Sequence, residues 1–183
     1  MKTVSLMLFT ALLLLVGCSG DTLTSVQDES AFDLTSNDGI AKQGIKMVPY
    51  RGIVTGHPVE QAPHPDCPGA TVIRSTGEGT GKGTLLGSFT WSGWHCFDYV
   101  ALTFYDGHIT SVAANGDELR FEYHGQLTGP NSWISTDTIV GGTGRFANAT
   151  GWADEIGGSA DTPEGEIWNM EYNGMVSSVG SSK

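Results

Sequence analysis

Basic residues are scarce in this chain: 9 Lys+Arg stand against 20 Asp+Glu, a formal net charge of −11. Nucleic-acid binding needs a clustered basic face, and an electrostatic grip on anionic lipid needs a polybasic one, so neither is expected. An acidic excess favours solubility and names no partner by itself. Cysteine is rarer still, with 3 in 183 residues. No CxxC and no HExxH is present, so no metal site is expected. No GxSxG elbow is present either, and His57, His64, His95, His108 and His124 are scattered, so they compose no recognisable triad. No cofactor motif emerges. The segment 77–84 superficially suggests a phosphate loop, but Lys82 is followed by Gly83 instead of Ser or Thr, and no helical pattern follows. Beyond the N-terminal apolar run no stretch carries a 3.6-residue apolar stripe, which argues against a helical core.

That N-terminal run is the first positive signal. Met1-Lys2 supplies a positive end, residues 4–16 are largely apolar, and the run closes on Leu15-Val16-Gly17-Cys18. About 13 apolar residues are too few to span a hydrocarbon core of ~30 Å as a helix. The pattern resembles the lipobox of bacterial lipoproteins. That resemblance implies a signal peptide over 1–17, a mature chain beginning at lipidated Cys18, and a place in the bacterial cell envelope, anchored to membrane and outside the cytoplasm. By the enterobacterial sorting rule that comes with it, Ser19 favours the outer membrane. Residues 18–46 are rich in Ser, Thr, Asp, Gln and Gly without a sustained period and read as a flexible tether. With Cys18 acylated, Cys67 and Cys96 remain, and an even pair in an oxidising compartment is expected to form a disulfide. The rival, a metal or redox site of Cys67 beside His57, His64 and Asp66, lacks supporting spacing.

Residues 47–183 read as one all-β domain. Short β-branched and aromatic runs are separated by Gly, Asn, Asp and Pro. Strands are expected over 48–55, 71–76, 84–91, 97–105, 108–114, 117–128, 133–140, 150–156 and 166–176. The proline-bearing stretch 57–69 is expected to be an irregular loop and 78–83 a glycine-rich turn. Asp106-Gly107 and Asn115-Gly116 both read as hairpin turns. The 26 glycines are taken mainly as turn residues. Eight or nine short strands linked by tight turns favour a meander closed into a barrel, which leaves no free edge.

Three segments resemble a known superfamily. Gly141-Gly142-Thr143-Gly144-Arg145-Phe146-Ala147-Asn148-Ala149-Thr150-Gly151 is similar to the GGTGRF segment of the allene oxide cyclase-like barrels, which include the plant dirigent proteins and bacterial secreted members. Ala113-Ala114-Asn115-Gly116-Asp117-Glu118-Leu119 and Thr84-Leu85-Leu86-Gly87-Ser88-Phe89-Thr90 resemble the hairpin and an earlier strand of the bacterial members. The resemblance implies an eight-stranded antiparallel barrel. These residues are structural, so fold is carried over and activity is not. Within the motif Phe146 is placed to plug a barrel end and Arg145 to reach a carboxylate or carbonyls.

Candidate functional residues follow from parity and composition. In Leu119-Arg120-Phe121-Glu122-Tyr123-His124 the apolar and polar residues occupy opposite faces. The ordinary reading puts Leu119, Phe121 and Tyr123 in the core. The alternative turns Arg120, Glu122 and His124 into a polar lumen, as anion contact, acid and base of an isomerase- or cyclase-like enzyme. The chain holds 5 Trp, and Trp91, Trp133 and Tyr123 are candidates for contact with a small apolar or aromatic ligand. Asp154-Glu155 and residues 161–166 form an acidic stretch that reads as a solvated loop, with calcium as the lesser alternative. The function expected is that of an envelope lipoprotein, non-enzymatic, with ligand-binding or structural work for the barrel. The lumen enzyme and a homo-oligomer, dimer or trimer, stand as alternatives.

Overall fold

A computed structural model describes residues 46–177; the expected signal (1–17), Cys18 and the tether up to residue 45 lie outside them. Eight strands follow one another: β1 (Met47–Ala62), β2 (Val72–Gly83), β3 (Gly87–Asp98), β4 (Thr103–Ala113), β5 (Glu118–Gly129), β6 (Ser132–Gly142), β7 (Gly151–Thr162) and β8 (Gly165–Ser177). Each pairs antiparallel with the next. β8 returns to β1, with Met47 opposite Ser177 and Gly56 opposite Trp168, so the sheet closes. Closure pairs the strand edges that would otherwise template aggregation. The one helical element among the described residues is a single 3₁₀ turn, Gly144–Phe146.

Alternation decides what lies inside. Tyr50 and Val54 of β1, Phe89 and Trp91 of β3, Leu119 and Phe121 of β5, and Tyr172 and Val176 of β8 form one buried cluster. Their odd or even neighbours, among them Arg51, Glu78, Lys82, Arg120 and Glu122, face outward. The two ends differ. At one end the β2–β3, β4–β5 and β6–β7 connections converge, and Phe146, Leu119 and Val176 are fully buried there. The opposite end carries the β1–β2, β3–β4, β5–β6 and β7–β8 connections and stays open.

Most strand glycines serve space, which corrects the reading of glycine as chiefly a turn residue. Side chains added at Gly56 and Gly79 would collide with Trp91; at Gly77 with Trp168; at Gly81 with Phe89. On the other side, Gly107, Gly125 and Gly157 lie under Tyr123, Phe104 and Trp133. These rings therefore fill space left by the bare backbone of nearby strands, which is how so many aromatics fit one lumen.

Three expected boundaries are corrected as well. Residues 78–83 are not a turn; they continue β2, and the connection to β3 falls on Thr84–Leu86, where Leu85 has φ 67°. Asp106-Gly107 is a bulge within β4 instead of a hairpin. Asp106 has φ 48°, the pairing with β5 slips between Phe104 and Gly107, and Gly107 lies under Tyr123. The nine expected strands thus become eight. β1 also runs to Ala62, through Pro58, instead of ending before an irregular loop. Beyond Gly56 it has lost β8 and pairs with β2 alone, so a residue without an N–H is tolerated there.

The Cys67–Cys96 disulfide forms, with Cα atoms 5.3 Å apart. It pins the β1–β2 connection to the outer face of β3, where Arg74 lies 4.5 Å above the Trp94 ring. The bond closes a loop of sequence separation 29. Replacing both cysteines by serine is expected to cost about 2–4 kcal/mol. Unreduced, denatured protein is expected to show neither Cys67 nor Cys96 reactive to a thiol label, and chemical denaturation of the double variant checks the energy.

Candidate functional site

The lumen encloses a cavity of about 300 Å³ that opens at the end away from Phe146. Its walls are aromatic. Trp91 and Trp168 stack with centroids 6.4 Å apart, and Tyr50 and Tyr172 with centroids 4.5 Å apart. Trp91 donates its Nε1–H to the Thr55 carbonyl at 3.1 Å, and Trp168 donates to Glu166 Oε1 at 3.1 Å. These bonds hold the ring planes against the wall and satisfy their only polar group.

Two carboxyls enter this apolar space. Asp137 of β6 is 6% exposed and Glu155 of β7 is 9% exposed. Ser135 stands opposite Glu155 and Ala153 opposite Asp137, so the two acids are diagonal neighbours on the inner face. Glu155 Oε1 accepts from Ser135 Oγ at 3.3 Å and from Trp133 Nε1 at 3.4 Å. Asp137 Oδ1 has no hydrogen-bond partner. Burial pushes Glu155 up to about 7, against the stabilising bonds from Trp133 and Ser135. Burial, then repulsion from Glu155 and from Asp154, holds Asp137 well above the usual carboxylate range. The pair therefore keeps protons into neutral pH.

The histidine and the tyrosines of the wall are neutral. His95 Nδ1 and Tyr123 Oη are hydrogen-bonded at 2.7 Å. Burial lowers His95 to about 4, so the ring is uncharged at neutral pH. Burial raises Tyr50, Tyr123 and Tyr172 above the usual phenol range. Chemically, the site combines apolar faces with two carboxyls able to donate or accept a proton.

No protein-family model matches this chain, and no curated protein matches it in sequence. Among solved structures the chain is similar to the pterocarpan synthase dirigent protein GePTS1. The TM-score is 0.49 and the identity 14%, over 75% of this chain and 88% of that one.

The candidates read from sequence separate cleanly. Trp91, Trp133 and Tyr123 all line the cavity. Arg120, Glu122 and His124 do not: they point outward and are exposed, and Arg120 forms an ion pair with Glu118 at 2.6 Å. The polar-lumen reading of these three is thus corrected. Leu119 and Phe121 bury on the inner face, and parity forces their neighbours out. Asp154 and Glu155 lie on opposite faces of β7, so they cannot share an ion. Among the described residues no group of three or more His, Cys, Asp or Glu is placed to hold a metal.

The superfamily-like motifs gather at the closed end, away from the cavity mouth. Thr143 Oγ1 accepts from the Glu118 N–H at 2.9 Å, Arg145 Nη2 donates to the Leu85 carbonyl at 2.7 Å, and Arg145 Nε lies 3.5 Å from Asp117 Oδ2. Asn115 Nδ2 donates to Asp117 Oδ2 at 2.8 Å, which holds that carboxylate in place. Gly144 has φ 53°, and a Cβ there would collide with Asp117. Gly141, Gly142, Gly116 and Gly151 shape the same connections, with Gly116 at φ 85° in the β4–β5 turn. Sequence reasoning missed Asp137, His95, Tyr50 and Tyr172 as lumen residues, and it placed Glu155 in a solvated loop where the structure buries it in β7. The available signal was parity: Trp133, Ser135, Asp137 and Ile139 share one face of β6, and Ala153, Glu155 and Gly157 one face of β7.

Proposed function

We propose that this chain is a cell-envelope lipoprotein whose barrel takes a small apolar or aromatic ligand into its lumen. The observation that carries the reading is the cavity of about 300 Å³, closed at one end, open at the other and walled by aromatic rings. That volume is at the lower bound of small-molecule sites, and the mix of apolar wall and a few polar groups suits one small ring system. The lipobox-like Leu15-Val16-Gly17-Cys18 supports membrane anchoring, with the outer membrane favoured by Ser19. The disulfide is in keeping with an oxidising compartment.

Asp137 and Glu155 favour a second reading, an isomerase- or cyclase-like enzyme. A protonated carboxyl beside an ionisable one can deliver a proton to one atom of a bound ligand and remove one from another. Binding comes first in either case. Native mass spectrometry of the full chain, purified from its own host, is expected to show one small molecule retained per chain and lost on denaturation. Added single-ring aromatic compounds are expected to change the emission of the lumen tryptophans. A bare chain whose emission ignores such compounds overturns the reading.

A further inference from the structure

The cavity wall carries carboxyls without a permanent counter-charge. No Lys or Arg is among its described lining residues, while Asp137, Glu155 and Glu166 are. Asp137 is nine-tenths buried, aimed into the lumen, and its Oδ1 is unpartnered. A buried carboxyl pair without counter-charge is costly, and two things relieve it: a proton, or a cation. The rings supply the rest of a cation site. Trp91, Trp133 and Trp168 line the lumen, and the face of an aromatic ring holds an organic cation within about 6 Å.

We propose that the ligand of this lumen is an organic cation, an ammonium group carried on a small apolar or aromatic body, seated between the tryptophan faces and the Asp137–Glu155 pair. The inference rests on the lumen being a ligand site and adds the ligand's charge. Cation and proton then compete for the same carboxyls, so affinity rises with pH. Tyr50 from β1, His95 from β3, Tyr123 from β5 and Tyr172 from β8 line the cavity with the pair, Glu166 of β8 lines it as the acceptor of Trp168, and Asp154 lies behind the pair on the outer face of β7. The tyrosines titrate above pH 8 and His95 near 4, so a dependence between pH 5.5 and 8 reports the carboxyl pair.

Isothermal titration of the full chain in detergent, at pH 8 and pH 5.5, tests this with two probes. One is choline, permanently charged; the other is 3,3-dimethylbutan-1-ol, its uncharged isostere. Choline is expected to bind at least about ten-fold tighter than the alcohol at pH 8. It is expected to weaken about ten-fold or more at pH 5.5, as Glu155, pushed up to about 7, takes up its proton, while the alcohol is unaffected. In the Asp137→Asn/Glu155→Gln variant the preference for choline disappears and the alcohol still binds, which shows the lumen intact. An alcohol that matches choline at pH 8 overturns the charge preference and leaves lumen binding standing. A choline preference indifferent to pH or to the double substitution overturns it as well. Heat from neither probe overturns the cation proposal, and the tryptophan response to single-ring aromatic compounds then decides the lumen reading separately.

Discussion

Between pH 6.5 and pH 8 the barrel is expected to lose about 1–3 kcal/mol of stability, and the Asp137→Asn/Glu155→Gln variant is expected to hold level. Both acids have folded-state pKa values above their ordinary ones, 3.8 for Asp137 and 4.5 for Glu155. The folded chain therefore binds more protons than the unfolded chain across that range. Stability is fully present below the ordinary values and is lost as pH climbs through the folded ones. For Glu155, moved from 4.5 to about 7, the whole loss amounts to about 3 kcal/mol. Asp137 adds to it in the same direction. His95 works against them, because burial moves it from 6.5 down to about 4 and its contribution is lost as pH falls through that interval. Its effect cancels one carboxyl below pH 6.5 and stops above it, so the decline steepens on the alkaline side. At pH 8 the double variant is expected to be the more stable protein by about 1–4 kcal/mol, since buried charge is replaced by neutral groups of similar shape. Urea titrations followed by tryptophan emission at pH 5, 6.5 and 8 measure all of this. A parent that is level from pH 6.5 to 8, or a variant that slopes as the parent does, contradicts the assignment of the pair.

Phe146→Ala is expected to cost about 3–5 kcal/mol, among the largest effects open to a single substitution here. The ring is fully buried at the closed end of the barrel. It sits on a single 3₁₀ turn, with the Arg145 guanidinium 4.7 Å above its face. Removing it loses the transfer energy of the ring and leaves a void that the closed ladder cannot collapse to fill, because each flanking strand is hydrogen-bonded on both sides. Phe146→Leu keeps most of the volume and is expected to cost less than about 2 kcal/mol. A lowered urea midpoint with unchanged slope in Phe146→Ala, and a small shift in Phe146→Leu, is the expected pattern. Equal, negligible shifts in both mean that the end is closed by something other than this ring.

The two predictions act at different places in the barrel. The closed end, built from Phe146, Arg145, Asp117 and Thr143, is hydrogen-bonded and apolar, and substitutions there are read as stability. The lumen tolerates two carboxyls that weaken the fold at neutral pH, and that local conflict supports the ligand site proposed above.

Much of the architecture was legible before any coordinates. Leu119-Arg120-Phe121-Glu122-Tyr123-His124 announces a half-buried strand, and its apolar set does face inward. Asn115-Gly116 marks a hairpin, and the left-handed φ of Gly116 is the reason. Cys67 and Cys96, read as a pair in the sequence, do form their bond. Asp106-Gly107 carries the same turn signal as Asn115-Gly116 and makes a bulge instead, because local backbone preference cannot say whether the partner strand ends or slips by a residue. The glycines of 77–83 misled for a related reason: the rings that need their space come from β3 and β8, far along the chain.

Period-two patterning and turn chemistry, which are local properties, pointed from the sequence by itself to an antiparallel meander, and the cysteine count pointed to its disulfide. The tertiary structure alone decided which carboxyls lie in the lumen. Asp154 and Glu155 are adjacent in sequence and equal in chemistry, yet one faces water and the other the cavity. The difference is one step of register, and register is set by closing eight strands on one another at once.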